Sequence, residues 1–186
     1  MLSTGIQLSL PDWVTGEIDG DAEYPDANSR VALAIHLARC NVEFGSGGPF
    51  GAAVFDDSGK LLAVGVNRVV SLGCSVAHAE IIAMATAQAR LRRPRLAVNG
   101  ESAVLATSAQ PCAMCYGACF WAGIDELLIG ARAEDVTELT AFDEGPLPAD
   151  WVGELERRGI RVRRDVLRDA ARAVLSQYGA AGGEGY

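Results

Sequence analysis

His78-Ala79-Glu80 and Pro111-Cys112-Ala113-Met114-Cys115 are the two stretches on which the reading of this chain turns. Together they offer one imidazole, two thiolates and one carboxylate. Three protein ligands hold a zinc ion and leave its fourth position open for water, the arrangement of a catalytic site; a structural site closes that position with a fourth ligand. Glu80, two residues from the histidine, is the spare carboxylate and can carry a proton to and from water. Cys112 and Cys115 are three apart and so share one side of a first helical turn. The partial positive charge of a helix N-terminus favours their thiolates there. His78 and Glu80, two apart, would not share a face in mid-helix. Helical side chains tilt towards the N-terminus, however, and both can reach a point just beyond a helix end. The pattern therefore makes chemical sense only if each segment opens its helix.

The punctuation around the two segments agrees. Ser75 can cap a helix that carries His78 and Glu80 to about Arg92, with Pro94 closing it. Pro111 suits the first turn of a helix running to about Ala122. Upstream, residues 1–28 read as an irregular N-terminal arm that packs on the surface. Ser29 can cap a helix to about Phe44, with Val31, Leu33, Ile35, Leu37 and Ala38 on its apolar face, and Gly45-Ser46-Gly47-Gly48-Pro49 breaks it. Phe50–Phe55 and Leu61–Val66 read as a hairpin turning at Asp56-Asp57-Ser58-Gly59. Strands are expected at 103–107, 127–129 and 160–162, and a last helix at 165–178. The tail 179–186 is glycine-rich and expected to be flexible. A hairpin followed by strands alternating with helices implies a mixed α/β sheet, antiparallel at one side and parallel in the rest, with helices on both faces. Ligand sites in such sheets gather at strand-to-helix turns, where both segments fall. One domain is expected, residues 29–178.

Composition bounds the partners. The chain has 186 residues, 49% hydrophobic, with a net charge of −8 and a pI near 4.7. Proteins that track phosphates carry basic faces, so nucleic acid is a poor expectation. Arg157, Arg158, Arg161, Arg163, Arg164, Arg168 and Arg172 crowd the late chain; beside Glu154, Glu156, Asp165 and Asp169 they read as a solvated, salt-bridged helix face. The first basic residue is Arg30, so a secretory n-region is missing, and no apolar run approaches the ~18 residues of a membrane span. Five cysteines, two of them in C-x-x-C, fit a reduced, cytoplasmic protein with a metal site better than a disulfide framework. Cys119, Cys40 and Cys74 read as packing residues, and His36 as a surface or packing residue. Asn67 either starts a turn or offers an amide to a ring edge, and Phe50 is either core or an aromatic wall for a flat ligand.

On these residues the chain resembles the cytidine and deoxycytidylate deaminase superfamily, whose signature is H-x-E followed by P-C-x-x-C. It is most similar to the guanine deaminase branch. The resemblance takes in Gly48–Val54, Asn67, Ala77–Glu80, Ser108–Cys115 and Phe142-Asp143-Glu144-Gly145-Pro146. It implies a three-layer α/β/α cytidine-deaminase-like fold with a roughly five-stranded sheet, and zinc on His78, Cys112 and Cys115. It also implies Glu80 as proton shuttle, Asn67 and the Ala79 backbone reading substrate edges, and Phe50 and Phe142 flanking the ring. Glu144 would touch the ring or the leaving ammonia, Tyr186 would ride on a tail that closes the pocket, and the protein would be a homodimer acting on a small heterocycle. Gln110 stands where many members carry glutamate. Rival readings are other small amino-heterocycles, a tRNA adenosine deaminase, and a zinc-stabilised binding domain without catalysis.

Overall fold

The computed structural model describes residues 5–98 and 100–185. Its elements in chain order are α1 (Val14–Glu17), α2 (Ala27–Glu43), β1 (Gly51–Asp56), β2 (Leu61–Val66), α3 (Val69–Leu72), α4 (Ala79–Leu91), β3 (Ala103–Ala109), α5 (Ala113–Ala122), β4 (Glu126–Ala131), α6 (Ala133–Leu139), α7 (Trp151–Glu156), β5 (Arg161–Arg163) and α8 (Arg168–Ala180). The five strands lie in the order β2-β1-β3-β4-β5. β1 is antiparallel to β2 and β3, and β3, β4 and β5 run parallel. This is the expected mixed sheet.

Alternation within the strands builds two cores. Ala53, Phe55, Val104, Ala106 and Leu128 face α2 and α8. Ala52, Val54, Leu105, Leu127 and Ile129 face α4 and α5. Both faces are covered, so β3 is buried along its whole length and reads as an apolar run. Close approach replaces side chains at two glycines. A Cβ at Gly51 would strike Ala34 O and lie 2.7 Å from Ala38 N of α2; one at Gly65 would strike Ala79 O and lie 2.6 Å from Ala83 N of α4. These glycines let both helices lie directly on the sheet.

Several helix starts differ from expectation. Asp26, not Ser29, caps α2: Ser29 N donates to Asp26 Oδ1 at 2.8 Å, and Asp26 N donates back to Ser29 Oγ at 3.2 Å. Ser29 is the reciprocal partner of that capping box. α4 begins at Ala79, not after Ser75, because Arg68 N donates to Ala77 O and Ala77 N to Cys74 O, holding residues 73–78 as a loop. Pro111 precedes the N-cap, Cys112, instead of sitting in the first turn. Asp165 and Leu167 have φ of 64° and 53°, so the chain turns there and α8 starts at Arg168. α8 then runs on to Ala180, into the stretch expected to be tail. Tyr178 OH donates to Glu184 O at 2.8 Å, folding the following residues back. The short helices α1, α3, α6 and α7 were not expected.

Leu10, Trp13 and Ile18 of the arm pack against the core, and Trp13 Nε1 donates to Ser46 Oγ at 2.9 Å. The late arginines do not share one helix face. Arg157 and Arg158 pair with Glu154, while Arg168 and Arg172 converge on the buried Asp135 of α6. Among the described residues no helix is long and apolar enough to cross a membrane.

Candidate active site and metal centre

His78 is the N-cap of α4 and Cys112 the N-cap of α5. Glu80 and Cys115 follow in the first turns. The two helix N-termini lie side by side on one face of the sheet, so residues distant in sequence meet where backbone N–H groups have no intrahelical partners. Cys112 Sγ lies 3.5 Å from His78 Nδ1. The donor atoms of His78, Cys112 and Cys115 all lie within 4.8 Å of one another. Tetrahedral zinc with one nitrogen and two sulfurs at about 2.0–2.3 Å separates its ligands by roughly 3.5 Å, so this donor set fits the ion.

The electrostatics fit as well. A hydrogen bond from Cys115 and the neighbouring His78 pull the Cys112 thiol down to about 4, against the effect of burial. The same hydrogen bond, with burial, pushes the Cys115 thiol up. Burial lowers the His78 imidazole, but its bond to Cys112 and the nearby Glu80 leave it raised on balance. A divalent cation bound here would displace thiol protons and take both sulfurs as thiolates. Burial pushes Glu80 up to about 7, with the charge of Cys112 adding to it and His78 opposing; its side chain is 8% exposed.

A cleft opens over these groups, lined by Phe50, Asn67, His78, Glu80, Gln110, Cys112, Phe142, Asp143 and Glu144. Of the residues singled out from the sequence, this brings together all except Cys115 and Ala79, which lie buried just behind it, and Tyr186, which lies outside the described residues. Phe50 and Phe142 pack edge to face, with centroids 4.9 Å apart and planes at 68°. They make a corner rather than two parallel walls. Glu144 O accepts from Ala113 N at 2.9 Å, tying the late loop to the start of α5. Burial, then Glu80 and Cys112, push the Glu144 carboxyl up to about 8. Asn67 N donates to Phe50 O at 3.1 Å, and Asn67 Oδ1 accepts from Val69 N at 3.3 Å.

Sequence reasoning passed over two supporting residues. Asn41, fully buried in α2, donates through Nδ2 to Gly48 O at 2.8 Å and to Asn67 O at 2.9 Å, joining the two loops that carry Phe50 and Asn67. Its signal was a lone amide on the apolar face of a helix. Tyr178 stacks on Phe142, centroids 5.8 Å apart, from behind the cleft. Cys119 is a fully buried thiol pushed up by burial, as its packing role requires. A second donor group, Glu17, His36 and Cys40, is not a formed metal site. Cys40 Sγ lies 3.8 Å from His36 Nδ1 and 3.5 Å from Nε2. It is therefore nearly equidistant from the two ring nitrogens rather than aligned with the lone pair of either.

A three-layer α/β/α sheet with a His-Cys-Cys zinc set and a buried carboxyl at paired helix N-termini defines a zinc-dependent hydrolytic deaminase. The family model for the cytidine and deoxycytidylate deaminase zinc-binding region matches residues 26–131, and the chain belongs to that family. It is 42% identical to the guanine deaminase of Nitrosomonas europaea, with a TM-score of 0.90 over 97% of this chain and 99% of that one. A mutant protein solved in complex with 8-azaguanine is 43% identical, with a TM-score of 0.90 over 95% of this chain and 98% of that one. The guanine deaminase of Bacillus subtilis is 37% identical over 111 residues, 60% of this chain and 67% of that one.

Proposed function

We propose that this protein deaminates guanine to xanthine and ammonia. The observation that carries the reading is the buried Glu80 carboxyl, which shares one cleft with the His78-Cys112-Cys115 donor set and an aromatic corner. A site holding zinc only for stability has no use for a carboxyl sunk beside it.

His78, Cys112 and Cys115 would hold the zinc ion, which supplies a Lewis acid that makes water a nucleophile near neutral pH. Glu80 would accept a proton from water as the water oxygen bonds to the amino-bearing carbon, and would deliver that proton to the neighbouring ring nitrogen. It would then move the proton of the new hydroxyl to the amine, so that the C–N bond breaks, ammonia leaves and a carbonyl remains. Phe50 and Phe142 receive the flat ring, and Asn67 and the Ala79 N–H read its polar edge. Glu144, held at the cleft by its backbone bond to α5, faces the amino and ring N–H donors of the base. The catalytic unit would span residues 29–178, with an arm before it and, after the end of α8, residues folded back by the bond from Tyr178 to Glu184. The similarity to two guanine deaminases and to a protein bound to 8-azaguanine supports guanine over other amino-heterocycles. Five free thiols support a cytoplasmic setting. An apolar face around Trp121, which is 74% exposed on α5, supports a homodimer.

The test is ammonia release from a panel of guanine, guanosine, cytosine, pterins and aminotriazines, with a tRNA-binding titration beside it. Guanine should give the highest kcat/KM. Tight tRNA binding that weakens steeply with salt would instead favour a tRNA deaminase, against the charge of −8.

A further inference from the structure

Resting on the deaminase reading, we propose that Gln110 is a specificity-determining residue: its Oε1 accepts an N–H from the bound heterocycle. Gln110 follows the last residue of β3 and is pinned there by its own N–H, which donates to Ala131 O at 2.8 Å. Pro111 and Cys112 come next, so the residue sits where the sheet hands over to the metal-bearing helix. Its side chain lines the cleft with Asn67, His78, Glu80 and Glu144 and is 5% exposed. Among the described residues, Oε1 has no hydrogen-bond partner.

The other buried amides near the cleft are employed differently. Asn41 uses its Nδ2 twice on backbone carbonyls, and its Oδ1 accepts from Ser46 Oγ at 2.7 Å. Asn67 Oδ1 takes the Val69 N–H. Folding thus takes up both of those amide oxygens, whereas Gln110 Oε1 stays buried and unpaired among the described residues, in a residue that lines the cleft. An unpaired buried acceptor is costly, and a ligand that brings an N–H to it relieves that cost. A ligand that brings a carbonyl or bare ring nitrogen sets lone pair against lone pair. Sites built this way discriminate far more strongly than apolar pockets do. The amide also adds an acceptor without a third negative charge beside Glu80 and Glu144. The class of substrate selected is an amino-heterocycle that presents a ring N–H or an exocyclic amine at the β3–α5 junction.

The experiment compares wild type, Gln110→Leu and Gln110→Glu for kcat, KM, zinc content and Tm. The substrates are guanine and deaza analogues that each replace one N–H by C–H. Gln110→Leu should lose about 10- to 100-fold in kcat/KM, the range of one buried hydrogen bond. Its zinc content should hold, and its Tm should stay level or rise, because a buried unpaired polar atom has been removed. A merely structural role would lower Tm and activity together. Gln110→Glu keeps an acceptor and should exceed Gln110→Leu in activity. One deaza penalty seen in wild type should vanish in Gln110→Leu, since only an interacting pair fails to add. Activity of Gln110→Leu within threefold of wild type, a fall in its Tm alongside lost activity, or deaza penalties unchanged by the substitution would each overturn the proposal. The same comparison runs on any amino-heterocycle that wild type deaminates, so silence on guanine alone overturns the guanine reading and leaves the Gln110 comparison decisive.

Discussion

Gly65→Ala adds one methyl group where β2 lies directly on α4, and it tests whether that contact positions the active site. The new Cβ would strike Ala79 O and lie 2.6 Å from Ala83 N, where Cβ atoms keep at least about 3.0 Å. Both obstacles are helix backbone, so no side chain can swing away. Helix and strand must separate by on the order of 1 Å, an overpacking that costs about 1–3 kcal/mol. For a chain of this size that lowers Tm by about 2–4 °C per kcal/mol. The catalytic effect should be larger. Ala79 lies between His78 and Glu80, so a retreat of α4 carries both away from Cys112 and Cys115, which are fixed to β3 and α5. A misplacement of about 1 Å costs up to ~100-fold in rate, and displaced ligands weaken metal binding as well. Guanine turnover, metal content by elemental analysis and thermal melting on the same preparation read the three effects. We expect kcat/KM down about 100-fold, zinc retained less tightly, and Tm down by several degrees. A lowered Tm with kcat/KM within threefold of wild type would show that the edge strand β2 gives way instead, and that this contact does not position His78 and Glu80.

Cys112→Ala should lose the zinc, measured by elemental analysis, and full retention of the metal would refute its role as a ligand. Glu80→Gln should keep zinc and fold but lose about 10²- to 10⁴-fold in kcat, because an amide cannot accept the proton; near-normal turnover would remove Glu80 from the proton path. Glu144→Ala should lower guanine kcat/KM at least tenfold, about 1.4 kcal/mol in barrier, with zinc content unchanged, and normal turnover would place the base against other groups. Asp135→Asn should destabilise the fold by about 2–3 kcal/mol. That is below the range for breaking a fully buried pair, because Arg168 and Arg172, 34% and 29% exposed, still reach water. Arg168 above all, then the Arg132 N–H and Arg172, holds the Asp135 carboxyl below the usual carboxylate range in spite of burial. Its stabilisation is therefore fully present above the unfolded pKa near 4 and is lost as pH falls below it. The gap in Tm between wild type and Asp135→Asn should close in melts below pH 4, and a constant gap would refute the ionic origin.

The order of elements and the metal ligands were legible because their causes are local. The i, i+3 spacing of Cys112 and Cys115, a carboxylate two residues from a histidine, a Gly-rich break after α2 and a hairpin turn at Asp56–Gly59 all act within a few residues of chain. Helix starts were misjudged where a cap was chosen by more than propensity. Ser29 is a good capping residue, but Asp26 and Ser29 satisfy two backbone donors together. Ser75 could have opened α4, but the loop bond from Arg68 to Ala77 delays the helix until His78. In the late chain, the positive φ at Asp165 and Leu167 carries no sequence mark, since neither residue is glycine. The zinc motif itself was determined by sequence, as the type and order of its side chains set its chemistry.

What tertiary structure alone decided is which distant groups share the metal's surroundings. Asn41 in the first long helix ties the loops of Phe50 and Asn67. Glu144 reaches the cleft because its carbonyl meets the free end of α5, and Tyr178 backs Phe142 from the last helix. Gln110 looks like an ordinary strand-end amide in sequence; only the packed structure leaves its oxygen buried and, among the described residues, unpaired at the cleft wall. Such pairings depend on long-range burial and on which backbone groups remain unsatisfied after folding, and neither is written in the spacing of neighbouring residues.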